Sequence, residues 1–308
     1  MVSVIIPARN MADYLRLAIE SVRRQTYTDW DLHIVDDGST DSTPEMAAQF
    51  QADSRIHYWR QPNQERAVAR NKGIDCSSGK YVAFLDADDS WQAEKLKKQV
   101  AELEDHPDAA LCYTSVRYMR SDGSLLREQR QLTVPSGTVL PQLARGNFIP
   151  VSSVLVRRAA LEAVGGFDID PRLIGAEDWD LWLRIASIYA VKAIPEELTL
   201  YRLHNTPRSH RLILNGTLAV VQKEFADPNF QKLARLTKAE AEAYAYLCSA
   251  GFAASSITRR ERLKLTFKGV SISPGCVASR AGLLAVARTI LPPLPLTLLL
   301  RLAVSTRG

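Results

Sequence analysis

The chain has 308 residues, of which 46% are hydrophobic, and a formal net charge of +5, which is enough material for a large core and too much for one average domain. Residues 1–200 hold 23 Lys and Arg against 29 Asp and Glu, whereas residues 201–308 hold 16 against 5; an acidic body suits a cation, and a basic tail suits an anionic membrane or polyphosphate. The four cysteines, Cys76, Cys112, Cys248 and Cys276, are dispersed with no CxxC pair, which argues against a zinc site or a disulfide framework.

Met1–Pro7 lacks the basic start and long apolar stretch of a secretory signal and reads as a first strand, Val2–Ile6, so a cytoplasmic chain with reduced thiols is expected. Asn10 then stands as an N-cap before Met11, Tyr14, Leu15, Ala18, Ile19 and Val22, which are spaced as one helical face. A second strand over Asp31–Val35 runs into Asp36-Asp37-Gly38-Ser39, and Ser42 with Glu45 has the spacing of a capping box. Arg55–Trp59 reads as a third strand and Glu65–Asp75 as a short helix. Strand and helix alternate four times by about residue 105, which predicts an α/β fold: a mostly parallel sheet flanked by helices. Pro7-Ala8-Arg9-Asn10 occupies the place of a dinucleotide-binding Gly-rich turn, which argues against NAD or FAD.

Tyr81–Leu85 is a buried-strand pattern that delivers Asp86, Asp88 and Asp89 to its carboxyl end. Two acids one residue apart can reach a single hard cation, and a cation held by few protein oxygens is typically shared with substrate phosphates. The plainer alternative, Asp89 or Ser90 capping a helix from Trp91, accounts for one acid of the three. Further on, Leu111–Met119, a Ser121-Asp122-Gly123-Ser124 turn and Leu125–Gln131 suggest an antiparallel excursion. Val151–Val156 reads as a strand, Arg158–Val164 as a helix stopped by Gly165-Gly166, and Ala176–Ile188 as a helix with Glu177 and Asp178 in its first turn. Trp179 and Trp182 share a face of that helix, which puts at least one in the core and leaves the other for stacking on a ligand. From Leu212 the chain reads as helical and basic.

Six motifs stand in order: Val4-Ile5-Ile6-Pro7, Val35-Asp36-Asp37-Gly38-Ser39-Thr40-Asp41, Ala69-Arg70-Asn71-Lys72-Gly73-Ile74, Phe84-Leu85-Asp86-Ala87-Asp88-Asp89, Glu177-Asp178-Trp179-Asp180-Leu181-Trp182 and Tyr201-Arg202-Leu203-His204. Together they make residues 2–210 resemble the family 2 inverting glycosyltransferases of GT-A fold. The resemblance implies donor-binding roles for Pro7, Asp36, Asp37, Arg70 and Asp86, with Asp36 at the nucleobase and Arg70 near the base and diphosphate. It implies Mg²⁺ or Mn²⁺ as cofactor, with Asp88 as direct ligand, Asp86 toward ribose and metal, and His204 at the metal or the diphosphate. Glu177-Asp178 becomes the acidic pair near the acceptor, with Asp178 as base. The chain departs from the family at Gln64-Glu65-Arg66-Ala67, where a Gly commonly lets backbone approach the donor.

The implied function is transfer of a sugar from a nucleotide diphosphate sugar to a saccharide or lipid-linked saccharide in cell-surface polysaccharide or glycolipid synthesis, with no nucleic-acid partner. A sugar nucleotidyltransferase would carry an N-terminal Gly-rich phosphate loop, which this chain lacks. An inactive sugar-binding relative would be expected to have lost one of the acids at 86, 88 and 178. The division implied is a catalytic domain over 1–210 and a basic helical extension over 211–308. Within 281–304 the longest uninterrupted apolar run, Thr289–Leu300, has 12 residues against the ~20 of a spanning helix, and Pro292, Pro293 and Pro295 break it. The segment either packs on protein or lies on the cytoplasmic face of the inner or plasma membrane, with Arg259, Arg260, Arg262, Lys264 and Lys268 attracting anionic headgroups.

Overall fold

In a computed structural model that describes residues 1–126, 134–204, 209–252 and 257–278 with Leu283 and Val286, the chain forms two compact units. One comprises 1–139, 149–169 and 181–205, and the other 140–148, 170–180 and 206–308.

Every residue of the first strand, β1 (Val2–Ala8), is buried, as an apolar strand covered on both faces must be. It pairs in parallel with β2 (Trp30–Asp37) and β4 (Tyr81–Phe84), and β2 pairs in parallel with β3 (Ile56–Gln61). The connecting helices are α1 (Ala12–Arg23), α2 (Thr43–Ala48) and α3 (Glu65–Asp75). Leu15, Ala18, Ile19 and Val22 of α1 bury against Val4, Ile6, Leu32 and Ile34 on one face. On the opposite face, Gly73 of α3 sits against Ile5. The expected parallel sheet with helices on both sides holds across these four strands.

Beyond β4 the sheet is mixed. Ser90–Trp91 forms a short strand, β5, and the helix expected from Trp91 starts instead as α4 (Lys95–Asp105). Next come β6 (Ala109–Met119), β7 (Val154–Arg157), the helix α6 (Arg158–Val164) and the long strand β8 (Ala190–Arg202), with α5 (Leu140–Leu143) lying in the second unit. The order across the sheet is β3-β2-β1-β4-β7-β6-β8-β5, and β7 and β5 run antiparallel to their neighbours. The helix α6 stops where expected. Gly165 takes the left-handed conformation at φ 79°, and the N–H of Gly166 bonds back to Leu161 O, the end that a glycine without Cβ makes cheap.

Two expected caps are replaced by other ties, one distant and one local. Asn10 does not cap α1: it adopts φ 54°, and its Oδ1 accepts the Thr40 N–H at 2.8 Å. Ser42 makes no side-chain cap bond; Asp41 Oδ1 accepts from Thr43 N at 3.0 Å and Thr43 Oγ1 at 2.6 Å in its place.

Lys95 is wholly buried at the start of α4. Its Nζ donates to Gln99 Oε1 at 2.7 Å and lies 4.0 Å from the Trp91 ring centroid. Burial pushes its pKa down to about 7, whereas the unfolded chain titrates near ~10.4. Between those values the unfolded state holds the extra proton, so stability must rise with pH, by up to about 1.4 kcal/mol per pH unit. Urea midpoints from pH 7 to 9 are expected to climb more steeply for the native chain than for Lys95→Met. Parallel curves would mean that Lys95 stays protonated in the fold.

The second unit is helical. It contains α5, the start of α7 (Glu177–Ala186), α8 (His210–Glu224), α9 (Pro228–Ala234), α10 (Lys238–Phe252) and α11 (Arg259–Ile272). The helices α10 and α11 approach closely because residue 269 is glycine: a Cβ there would lie 2.9 Å from Ala243 O. Among the described residues, no helix is long and apolar enough to cross a membrane. Apart from Leu283 and Val286, the segment 281–304 lies outside the described residues, as do residues 127–131 of the expected antiparallel excursion.

Candidate active site

The chain visits β1, β2 and β3 in one direction along the sheet and then returns to β4 on the other side of β1. Open α/β sheets bind ligands at such a reversal, outside the carboxyl ends of the strands. Pro7, Asp36-Asp37 and Asp86 all stand at that edge, Pro7 facing Val35 and Ala8 facing Asp36 in register.

Asp36 and Asp37 are both buried and hydrogen-bonded. Asp36 Oδ1 accepts the Ser39 N–H at 2.8 Å, and Oδ2 accepts the Tyr58 hydroxyl at 2.6 Å, with Arg60 Nε at 3.7 Å. Burial and then the Asp36 bond raise the Tyr58 pKa. Asp37 Oδ1 accepts from Gln61 Nε2 and Gln64 N, and Oδ2 accepts the Glu65 N–H at 3.0 Å. Glu65 thereby takes a left-handed backbone at φ 73°, which is how the chain makes this turn without the expected glycine. That conformation costs an L-residue about 1–2 kcal/mol. Glu65→Gly is therefore expected to stabilise the fold by up to about 1 kcal/mol in a urea titration, and Glu65→Ala to bring no gain.

The acids after β4 divide their work. Arg70, buried on α3, donates from Nη2 to Asp86 Oδ1 at 2.8 Å with its guanidinium 5.3 Å from the Phe167 ring, and Arg66 Nη1 lies 3.7 Å from Asp86 Oδ2. His204 Nε2 lies 2.7 Å from Asp88 Oδ2, and the Tyr14 ring stands edge-on to the imidazole. The Asp86 and Asp88 side chains keep 17% and 18% of their surface accessible. Asp89 is buried: its Oδ2 accepts from Ser152 Oγ at 2.5 Å and its Oδ1 from the Arg202 N–H at 2.8 Å. Burial, then the Asp88 and Asp86 carboxylates, hold its pKa well above the usual range. Arg202 in turn donates from Nε to Asp88 O at 2.8 Å. One oxygen from each of the three acids falls within 4.8 Å of the others, but burial and two strong donors make Asp89 the anchor of the loop. Asp86 and Asp88 keep carboxylate oxygens accessible and His204 stands against Asp88, a set of hard oxygens with one imidazole nearby that could hold Mg²⁺ or Mn²⁺.

A second group, Asp31, His33 and His57, also has ligand-like spacing. The indole N–H of Trp59 donates to His33 Nδ1 at 3.2 Å, so neutral His33 keeps its proton on Nε2, 3.3 Å from Asp31 Oδ2. A ligating imidazole needs that nitrogen bare and its other nitrogen protonated. The group is a carboxylate–imidazole pair of half-buried Asp31 and buried His33.

The acidic pair belongs to the second unit. Glu177 is buried and its Oε2 accepts the Gly175 N–H at 2.8 Å. Asp178 is half-buried; Oδ1 accepts the Trp179 N–H at 2.8 Å and Oδ2 accepts from Asn147 Nδ2 at 3.1 Å. Both tryptophans are core residues, which corrects the expectation that one stacks on a ligand. Trp179 Nε1 donates to Leu143 O at 2.9 Å, and Trp182 Nε1 donates to Ile149 O at 3.2 Å. The motifs left Arg66, Tyr58, Ser152 and Asn147 unmarked, because their positions depend on partners far away in the chain. Arg202 sits inside a recognised motif, yet only its contacts reveal that it ties Asp88 and Asp89 to β8.

A family model described as glycosyl transferase family 2 matches residues 3–165. The Bacillus subtilis protein TuaG, named for teichuronic acid biosynthesis, is 33% identical over 218 residues, covering 70% of this chain and 81% of TuaG. An uncharacterized glycosyltransferase of Rickettsia felis is 32% identical over 240 residues, 77% of this chain; the match spans 39% of that longer protein. Among solved structures, residues 1–349 of Staphylococcus aureus TarS superpose with a TM-score of 0.65 at 15% identity, covering 93% of this chain and 86% of that one. A mannosyltransferase of Pyrobaculum calidifontis in complex with GDP-Man and Mn²⁺ gives a TM-score of 0.57 at 20% identity, with 94% and 86% covered. At these identities the structural likeness speaks for the fold alone.

Proposed function

Because the chain belongs to glycosyltransferase family 2, we propose that it transfers a sugar from a nucleotide diphosphate sugar to an acceptor hydroxyl with inversion. The observation that carries this reading is the acid cluster Asp86, Asp88 and Asp89 after β4, at the sheet reversal, with His204 against Asp88 and Arg70 locked onto Asp86. Pro7, Asp36 and Asp37 frame the nucleoside, Asp36 exchanging its Tyr58 bond for one from the base. Arg70 fixes Asp86 toward the ribose, and Arg66 adds positive charge near the diphosphate. A divalent cation held by Asp86, Asp88 and His204 would offset the charge that develops on the leaving diphosphate.

Asp178 supplies the base, with Glu177 bracing the turn before it. The acceptor oxygen attacks the anomeric carbon as its proton passes to Asp178 Oδ2, and the bond to the diphosphate breaks with its electron pair leaving on phosphate oxygen. One displacement inverts the centre and needs no carboxylate nucleophile.

The name of TuaG supports a saccharide acceptor in cell-surface polysaccharide or glycolipid synthesis, and we place that acceptor on a lipid carrier at the cytoplasmic face of the membrane. Residues 1–210 are the proposed catalytic domain and 211–308 its basic extension.

The full chain should be offered a panel of nucleotide sugars with Mg²⁺ or Mn²⁺, and release of nucleoside diphosphate measured. Turnover of one donor is expected, dependent on the cation. The absence of release from any donor with either ion would overturn the reading.

A further inference from the structure

The geometry of α11 points to a docking surface for an anionic lipid bilayer; we propose that Leu263 and Phe267 insert into the headgroup region while Arg259, Arg260, Lys264 and Lys268 hold the surface. The helix is locally specified: Thr258 and Glu261 form a reciprocal capping box, with Thr258 N–H to Glu261 Oε2 at 3.0 Å and Glu261 N–H to Thr258 Oγ1 at 3.2 Å. Its inward face is Arg262, Thr266 and Gly269, all buried, and Gly269 approaches Ala243 and Leu247 of α10. This turns Arg262 away from the surface, so the basic set expected from the sequence loses one member.

The outward face is unusual in what it exposes. Phe267 is 77% accessible and Leu263 is 45% accessible, and at i and i+4 they lie one above the other. The four cations around them are exposed as well, and Lys268 reaches over the Tyr246 ring with Nζ 4.6 Å from its centroid. Among the described residues no large hydrophobic side chain is more exposed than Phe267. Two apolar side chains in line, flanked by Lys and Arg, give a small local contact in which Leu263 and Phe267 reach the acyl boundary and the cations meet lipid phosphates. The charge complementarity selects an anionic surface, and the aliphatic Leu263 beside a single aromatic selects lipid over a nucleic acid, whose bases want successive stacking rings. The proposal extends the lipid-linked acceptor but does not depend on it, since its readout contains no transfer step.

The test uses the full chain with phosphatidylcholine vesicles, with and without phosphatidylglycerol. Sedimentation is expected with the anionic vesicles only, and high salt should weaken it. Leu263→Ser/Phe267→Ser should lower the partition coefficient about tenfold or more, and Arg260→Gln/Lys264→Gln/Lys268→Gln should lower it about 100-fold, at ~1 kcal/mol per cation. Because these side chains are exposed, thermal melts should match the native chain and exclude misfolding as the cause. Binding of the native chain that neither variant reduces would place the contact elsewhere, and failure of the native chain to sediment at low salt would mean that there is no such contact; either result overturns the proposal. Two other results would overturn the proposal: a dimer in solution that the serine variant dissociates, and binding to a single-stranded RNA but not to vesicles.

Discussion

Asp88→Ala is expected to reduce sugar transfer by about 10²- to 10³-fold and to leave the residual rate indifferent to chelator, whereas the native chain loses activity when the cation is removed. Asp88 is accessible enough to meet an ion and its carboxylate stands against the exposed His204, so the melting temperature should be nearly unchanged. The neighbouring Asp89→Asn separates chemistry from architecture. It disturbs the acceptor that holds Ser152 Oγ and the Arg202 N–H in a buried setting, so about 1–3 kcal/mol of stability should be lost in a urea titration. Full activity of Asp88→Ala in metal-free buffer would remove the cation from the reading.

Asp178→Asn is expected to lower kcat by about 10²-fold or more while leaving the affinity for nucleoside diphosphate within a few-fold of native. The amide keeps the size of the side chain and can still accept one of the bonds from Trp179 N and Asn147 Nδ2, but it cannot take the acceptor proton. Calorimetry with the nucleoside diphosphate, beside a transfer assay, separates the two effects. A variant whose donor affinity and turnover fell together would move Asp178 from the acceptor to the donor. Asn147→Ala should give a smaller loss in kcat with donor binding unchanged, because it frees Asp178 Oδ2 from its side-chain donor without removing the base.

Much of this protein is written locally. The burial of β1, the exact span of α3 and the stop of α6 at Gly165 follow from runs of apolar residues, helical spacing and a residue that tolerates positive φ. The six motifs identify the family because their chemistry-bearing residues lie within a few positions of one another, so spacing alone displays them. The division of labour among Asp86, Asp88 and Asp89 could not be read this way. Three adjacent carboxylates look alike in a sequence; they differ because Asp89 meets Ser152, 63 residues away, and Arg202, 113 residues away. The same holds for Asn10, which has the residue type of a cap but bonds instead to Thr40 across the β1–β2 edge, and for the buried Trp179 and Trp182, whose indole N–H groups find carbonyls more than 30 residues earlier. On α11 the composition announced a basic helix, and the packing of Gly269 on α10 decided which of its residues point outward. Residue type and short spacing determine what a segment can become, whereas burial and partners are set by chain-distant contacts, and these decide which of several equivalent side chains keeps access to solvent.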